Sequence, residues 1–475
     1  MMRFSFLDPF WRAKVRSETI RNPGLADAIE KKCARCHAPM ASEQAIQSGD
    51  EVSLFDDGFV DEDNPYHSAA MEGVGCTLCD QVTSDFLTIE DPFSGNFHIS
   101  DQSVAWGPFA PGFAKTMERQ SGYLPAQASH IGKSEFCATC HDLYTDYYDA
   151  SGKIVSTPDT LFPEQTPYLE WQESTFPGKG TQCQTCHMKP AALTKIAAVP
   201  KQTQTRQGVG RHTFFTENTM MLNIIESVAV DLGLEATDLS EAVIDGQAYL
   251  AEAGTIEIEK FSWVDSTLEV TVRVINNVGH KLPTSIPLRR AFIHFAVYKK
   301  NGDIIFSSGD TDAQGRIIGV DADNGALGYE PHYQTITLGN QVQVYEAIMA
   351  NVEGEVTRTL LRASHFLKDN RLLPKGFNKT NANQKIRPVG NAIEDKDFKG
   401  GEDRITYRIE NVAGSMVSVE AELKDQTLAY PMVEDLFLDS PNDPNGPIPF
   451  FQAEYDHHRT AFEIIDSDTQ VIYRQ

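Results

Sequence analysis

From about residue 255 onward, hydrophobic positions recur at every second residue. Leu268, Val270, Val272 and Val274 alternate with Glu269, Thr271 and Arg273, the pattern of a strand with one face in a core and one in water. Residues 291–298 form an apolar run, Asn301-Gly302 is a hairpin signal, and residues 304–306 read as the returning strand. Residues 404–409 and 416–423 read as a further pair joined by a turn at Gly414. Short strands separated by turn signals predict a β-sandwich.

Upstream the period changes. Met221, Ile224, Ile225 and Val228 follow the i, i+3, i+4, i+7 spacing of a helix. A second helix is predicted from Asp238, with Glu241 as its capping-box partner, a stripe of Leu239, Val243, Gly246 and Leu250, and Gly254 as its C-terminal stop. Residues 1–195 show no sustained period. The exception is local: Asn22-Pro23 reads as a cap, and Leu25, Ile29 and Cys33 continue one helical stripe. The predicted class is α+β, with a mostly helical and loop region at 1–200, a short helical connector at 201–254 and the β-sandwich at 255–475.

Composition narrows the function. Apolar residues make up 41% of the 475 and charged residues 23%, as in ordinary folded proteins. No apolar run reaches the length of a transmembrane helix. Lys and Arg number 41 against 67 Asp and Glu, a net charge of −26. That balance argues against nucleic acid or an anionic membrane as the main partner, since either calls for a basic face.

The cysteines carry the chemistry. All eight fall into C-x-x-C pairs: Cys33/Cys36, Cys76/Cys79, Cys137/Cys140 and Cys183/Cys186. Three pairs are followed at once by His37, His141 and His187, which makes them C-x-x-C-H, the attachment signature of c-type haem. The spacing lets two thiols reach the two vinyl groups on one haem edge. On a helix, positions i, i+3 and i+4 share a face, so the His projects under the iron. Zinc ribbons want pairs about 15–20 residues apart, whereas 39, 57 and 42 residues separate these. Disulfides across a two-residue gap would be strained and close almost no loop. Four haem c groups are therefore expected, and they would supply much of the core that residues 1–200 lack.

The second pair is followed by Asp80. Asp80 would bind iron through a hard oxygen that favours the ferric state, or another side chain replaces it, or the position stays open to water or substrate. The bland alternative is a distal His acting alone, with no gain of function. Distal candidates are His67 and His130, which precede motifs closely, His212 among aromatic residues, and His280 in a turn-like segment ending a strand. Met40 and Met71 lie near motifs but read as packing residues.

Several segments resemble those of bacterial and archaeal multihaem c-type cytochromes with a C-terminal β-sandwich. They are Asp8-Pro9-Phe10-Trp11-Arg12-Ala13-Lys14, the stretches around the first three cysteine pairs, Tyr168-Leu169-Glu170-Trp171, Gly279-His280-Lys281-Leu282-Pro283-Thr284, and Lys368-Asp369-Asn370-Arg371-Leu372-Leu373-Pro374. The resemblance implies electron transfer along stacked haems in the periplasm or outside the cell, with redox proteins or extracellular acceptors as partners. Two departures stand out. Such proteins carry His where this chain has Asp80, and residues 1–10 lack the basic and apolar regions of a secretory signal, so the expectation is that the gene product starts earlier. Three readings stay open: an electron carrier, an oxidoreductase acting on a small oxyanion or peroxide at the Cys76/Cys79 haem, and a homo-oligomer polymerising into conductive filaments. The absence of an acid–base arrangement around Asp80 favours the carrier.

Overall fold

The strand Thr267–Asn276 turns Leu268, Val270, Val272 and Val274 wholly inward, as their alternation requires. In the computed structural model, which describes residues 2–89, 91–196, 201, 203–214, 216–325 and 327–474, this strand lies between Gly254–Val264 and Glu402–Ile409, with Thr335–Ile336 at the far edge. A second sheet runs Ile304–Ser308, Arg290–Lys299, Met416–Gln426, Glu463–Tyr473, and Val344–Tyr345 also pairs with Arg290–Lys299. The inward faces of both sheets contribute to one apolar cluster. Phe295 from one sheet stacks on Tyr407 from the other, with ring centroids 3.8 Å apart and planes 8° from parallel. The Arg290–Lys299 strand is apolar along most of its length because both faces are covered: Ile293, Phe295 and Val297 join the shared cluster, and Phe292 packs behind with Ile317, Val320 and Val344. The chain is α+β, as expected.

Three local expectations fail. Residues 404–409 and 416–423 are not a hairpin. They lie in opposite sheets, and the chain crosses between them through Asn411 and Gly414, both at positive φ. Each strand has one inward face, and alternation is satisfied equally by a neighbour beside it or a sheet opposite. The helix Ser240–Leu250 forms without a capping box, and Asp238 instead accepts the Ser240 backbone N–H. Gly254 begins a strand rather than ending a helix. A Cβ there would lie 2.9 Å from Leu423 Cδ2, where the two sheets come together.

Along that border side chains finish the hydrogen bonding. Asp466 and Asp468 accept the N–H groups of Ile256 and Ile258 at 2.9 and 2.8 Å, and the Gln470 amide donates to the Ile258 carbonyl at 2.9 Å.

A second cluster joins distant parts of the chain. Helices Pro9–Arg21, Ala26–His37, Pro39–Ser48 and Thr219–Ser227 pack with Tyr430–Phe437 and Pro447–Tyr455. Ile224 and Ile225 are fully buried there, as the helical spacing predicts. Asp8 caps the first helix by accepting the Trp11 N–H, and Arg21 ties the end of that helix to Asp435 and Asp439.

Some charge is buried outright. Arg290 binds Asp323 through two hydrogen bonds of 2.8 and 2.7 Å, both side chains fully inaccessible, and its Nε donates to Gln426. Removing one partner of such a pair strands the other in a low-dielectric site. Asp323→Ala is therefore expected to lower unfolding stability by about 3–5 kcal/mol, read from the denaturant midpoint; a loss within experimental error contradicts the account.

Glu164, in the strand Phe162–Gln165, is buried near Glu18 and Lys14. Burial and then the Glu18 carboxylate push its carboxyl from 4.5 up to about 7, against the pull of Lys14 and Lys32. The folded state then holds a proton that the unfolded state has released. This contribution is complete below the unfolded value and is lost as pH rises through the folded one, by on the order of 3 kcal/mol. Between pH 4.5 and 7, Glu164→Gln should remove that part of the stability slope relative to the unsubstituted protein. Identical slopes in urea unfolding would refute the assignment.

Candidate haem-binding region

Each cysteine pair sits on a helical segment: Ala26–His37, Cys76–Gln81, Ser134–His141 and Cys183–His187. Helical geometry brings both thiols and the following residue to one face. All eight cysteines are free thiols. The motifs lie together. Leu78 and Val82 of the second motif share an apolar cluster with Phe136 and Cys140 of the third, and Cys36 and Cys183 are electrostatic neighbours of Cys140 and Cys137. Burial raises the Cys79 thiol to about 12, helped by the nearby Cys140.

Hydrogen bonds hold this convergence. Arg35 donates to the carbonyls of Gly95 and Phe97, and Gly95 N–H reaches the Thr139 carbonyl, so one loop joins the first and third motifs. Gly95 has φ +85°, and a Cβ there would meet Arg35 Cγ at 2.7 Å. Ser134 Oγ donates to Gln182 at 2.8 Å and accepts the Cys183 N–H at 3.0 Å, joining the third motif to the fourth.

The histidines differ in which nitrogen carries the proton. His37 Nδ1 faces the Ser5 carbonyl at 3.0 Å, so it donates and leaves Nε2 as the basic nitrogen. Burial lowers this imidazole to about 4, and its ring stacks on Trp11 at 4.5 Å. His67 Nδ1 is held in the same way by the Phe59 carbonyl at 2.9 Å. His130 is reversed: its Nε2 donates to the Val82 carbonyl at 2.9 Å, and its ring is boxed in by Phe86, Trp106 and Phe136. His141 is solvent-accessible, and the protein packed around it lowers its basicity.

His280 comes to His187 from far along the chain. Their ring centroids are 6.3 Å apart and their planes differ by 20°. His280 Nδ1 donates to the Lys281 carbonyl at 2.8 Å, which leaves Nε2 unprotonated. The Tyr249 hydroxyl lies 3.4 Å from His187 Nδ1. At the variant motif, Asp80 is exposed by area, but the protein packed around it raises its carboxyl above the ordinary range. His212 opposes that shift and is therefore near enough to act on it.

The segment bearing His280 is locked by buried charges that sequence reading did not assign. Glu170 Oε2 accepts the Lys281 N–H at 3.0 Å and the Thr284 hydroxyl at 2.6 Å. Lys281 Nζ binds Asp369 at 2.6 Å, and Arg371 binds Asp369 through two bonds of 2.9 and 2.8 Å. The signal was present: charged residues sit inside three of the segments that carry the resemblance.

Among the described residues one further group, His332, Asp395 and Asp403, brings metal-ligating atoms within 4.8 Å of one another. Its hydrogen bonding does not suit a metal. His332 Nδ1 accepts from the Gln343 and Asn370 amides at 2.9 and 3.1 Å. Both amides are fixed in orientation, because their oxygens accept backbone N–H groups. The ring proton is therefore on Nε2, donated to Asp395 at 3.1 Å, and no lone pair is left for an ion.

The donors at three motifs suit haem c: paired thiols and an imidazole on one helix face, with the His37 ring already turned by the Ser5 carbonyl. At the second motif a carboxyl takes the imidazole's place. No protein-family model matches the chain, and no curated protein matches it in sequence. In structure it is similar to a penta-haem cytochrome c552 from Thermochromatium tepidum, with a TM-score of 0.51 and 15% identity over 93% of this chain and 83% of that one. At that identity the likeness is one of architecture: the chain shares the fold of that cytochrome.

Proposed function

We propose that the protein is an exported electron carrier, periplasmic or extracellular, holding four haem c groups, one at each cysteine pair. The observation that carries this reading is the convergence of four C-x-x-C helices, the third bonded to the first and fourth and packed against the second, within a fold shared with a penta-haem cytochrome. When bound, haem c supplies reversible one-electron transfer. The cysteine pairs would anchor the haems, and His37, His141 and His187 would ligate their irons. His280, whose ring lies 6.3 Å from that of His187, would share a haem with it. His67, His130 and His212 remain distal candidates for the other sites. The two facing sheets act as a β-sandwich scaffold that delivers His280. Partners are redox proteins or extracellular acceptors.

A second reading has support at one site. Asp80 replaces the imidazole, and its surroundings raise its carboxyl, so this haem would have a weak fifth ligand and bind a small oxyanion or peroxide.

Protein matured in a host competent for c-haem attachment should carry four covalent haems by intact mass; three would withdraw the Cys76/Cys79 site. The ferrous protein should bind carbon monoxide at one haem, and Asp80→His should suppress that binding. Four purely low-spin haems in the unsubstituted protein would remove the second reading and leave the carrier.

A further inference from the structure

Glu170 stands on the short helix Pro167–Gln172, directly ahead of the fourth cysteine motif, and is wholly buried. One of its oxygens holds the chain on the C-terminal side of His280 at two points, the Lys281 N–H and the Thr284 hydroxyl. Its other oxygen accepts from Thr166 at 3.2 Å and lies 3.5 Å from Arg371. On the N-terminal side of His280, Gly279 lies against Trp171 and Phe176, and a Cβ there would be 3.2 Å from each ring. Asn276 donates to the His280 carbonyl at 2.8 Å and to that of Leu372 at 2.9 Å. His280 is thus held between the element that precedes the fourth motif and the strand end that brings it in.

From this arrangement we infer that Glu170 is the positioning residue that sets His280 opposite His187, and that the buried quartet of Glu170, Asp369, Lys281 and Arg371 sets the electrostatic environment of that axial pair. The inference rests on the reading that His280 and His187 ligate one haem. The quartet holds two carboxylates and two cations, so it is neutral as a unit. Glu170 binds the residue that follows His280 and lies 3.5 Å from Arg371. Removing one member therefore leaves one unbalanced charge beside an iron ligand. In so dry a site that charge is poorly screened, and net charge near a haem moves its potential.

The variants separate position from charge. Glu170→Gln keeps an oxygen for Lys281 N–H and Thr284 but leaves the quartet at +1, so the potential of one haem should rise while it stays low-spin. Lys281→Met leaves it at −1, so the same haem should shift downward. The double variant E170Q/K281M is neutral and should return close to the unsubstituted potential. Glu170→Ala removes the anchor and should give a high-spin ferric component at one haem that added imidazole converts back to low spin. His280→Ala serves as the reference and should give the same high-spin component. If His280→Ala alters no haem spectrum, the axial pairing itself is wrong. If His280→Ala opens a haem but Glu170→Ala stays low-spin at the unsubstituted potential, the pairing stands and the positioning role is overturned. If Glu170→Ala does not fold, the potentials decide: shifts of the same sign in Glu170→Gln and Lys281→Met, or none, overturn the electrostatic role.

Discussion

Burying a carboxylate is costly unless a cation comes with it, and burying that cation raises the same demand. Glu170, Arg371, Asp369 and Lys281 meet it together, all nearly or wholly inaccessible. They come from three segments distant in sequence: the helix before the fourth cysteine motif, the loop after the strand Thr267–Asn276, and the strand His365–Asp369 with the residues after it. None of the three can settle without the others. The quartet therefore fixes the seam between the cysteine-bearing part of the chain and the two sheets, and the orientation of His280 follows from that seam.

What the sequence revealed tracks the locality of the physical cause. Covalent attachment demands a fixed spacing, so the four cysteine pairs are legible at sight. Leu268 to Val274 are legible because a half-buried strand must alternate, and Ile224 and Ile225 because one helix face is buried. The pairing of 404–409 with 416–423 was misread because alternation records which face is inward and not which strand is alongside. Gly254 was misread because its reason, the close approach of Leu423, comes from the opposite sheet. The approach of His280 to His187 depends on partners from across the fold, so no window of sequence contains it.

The histidines show how little of a ligand's character lies in its identity. His37, His67 and His280 each give the Nδ1 proton to a backbone carbonyl and keep Nε2 basic. His332 has two amides at Nδ1 and spends its Nε2 proton on Asp395. The first arrangement presents a lone pair, and the second consumes both nitrogens in the interior. A backbone carbonyl or a side-chain amide next to the ring decides between them.

The border where Asp466, Asp468 and Gln470 bond to the backbone of Ile256 and Ile258 bears on assembly. A strand at the margin of a sheet offers unpaired N–H and C=O groups to any passing chain. Over this stretch those groups are already spoken for by the chain's own side chains, so no foreign strand finds a template. A filament built from this protein would have to be joined through surfaces other than that stretch, among them the far sheet edges at Ile304–Ser308 and Thr335–Ile336, the helices and the cysteine-bearing flank.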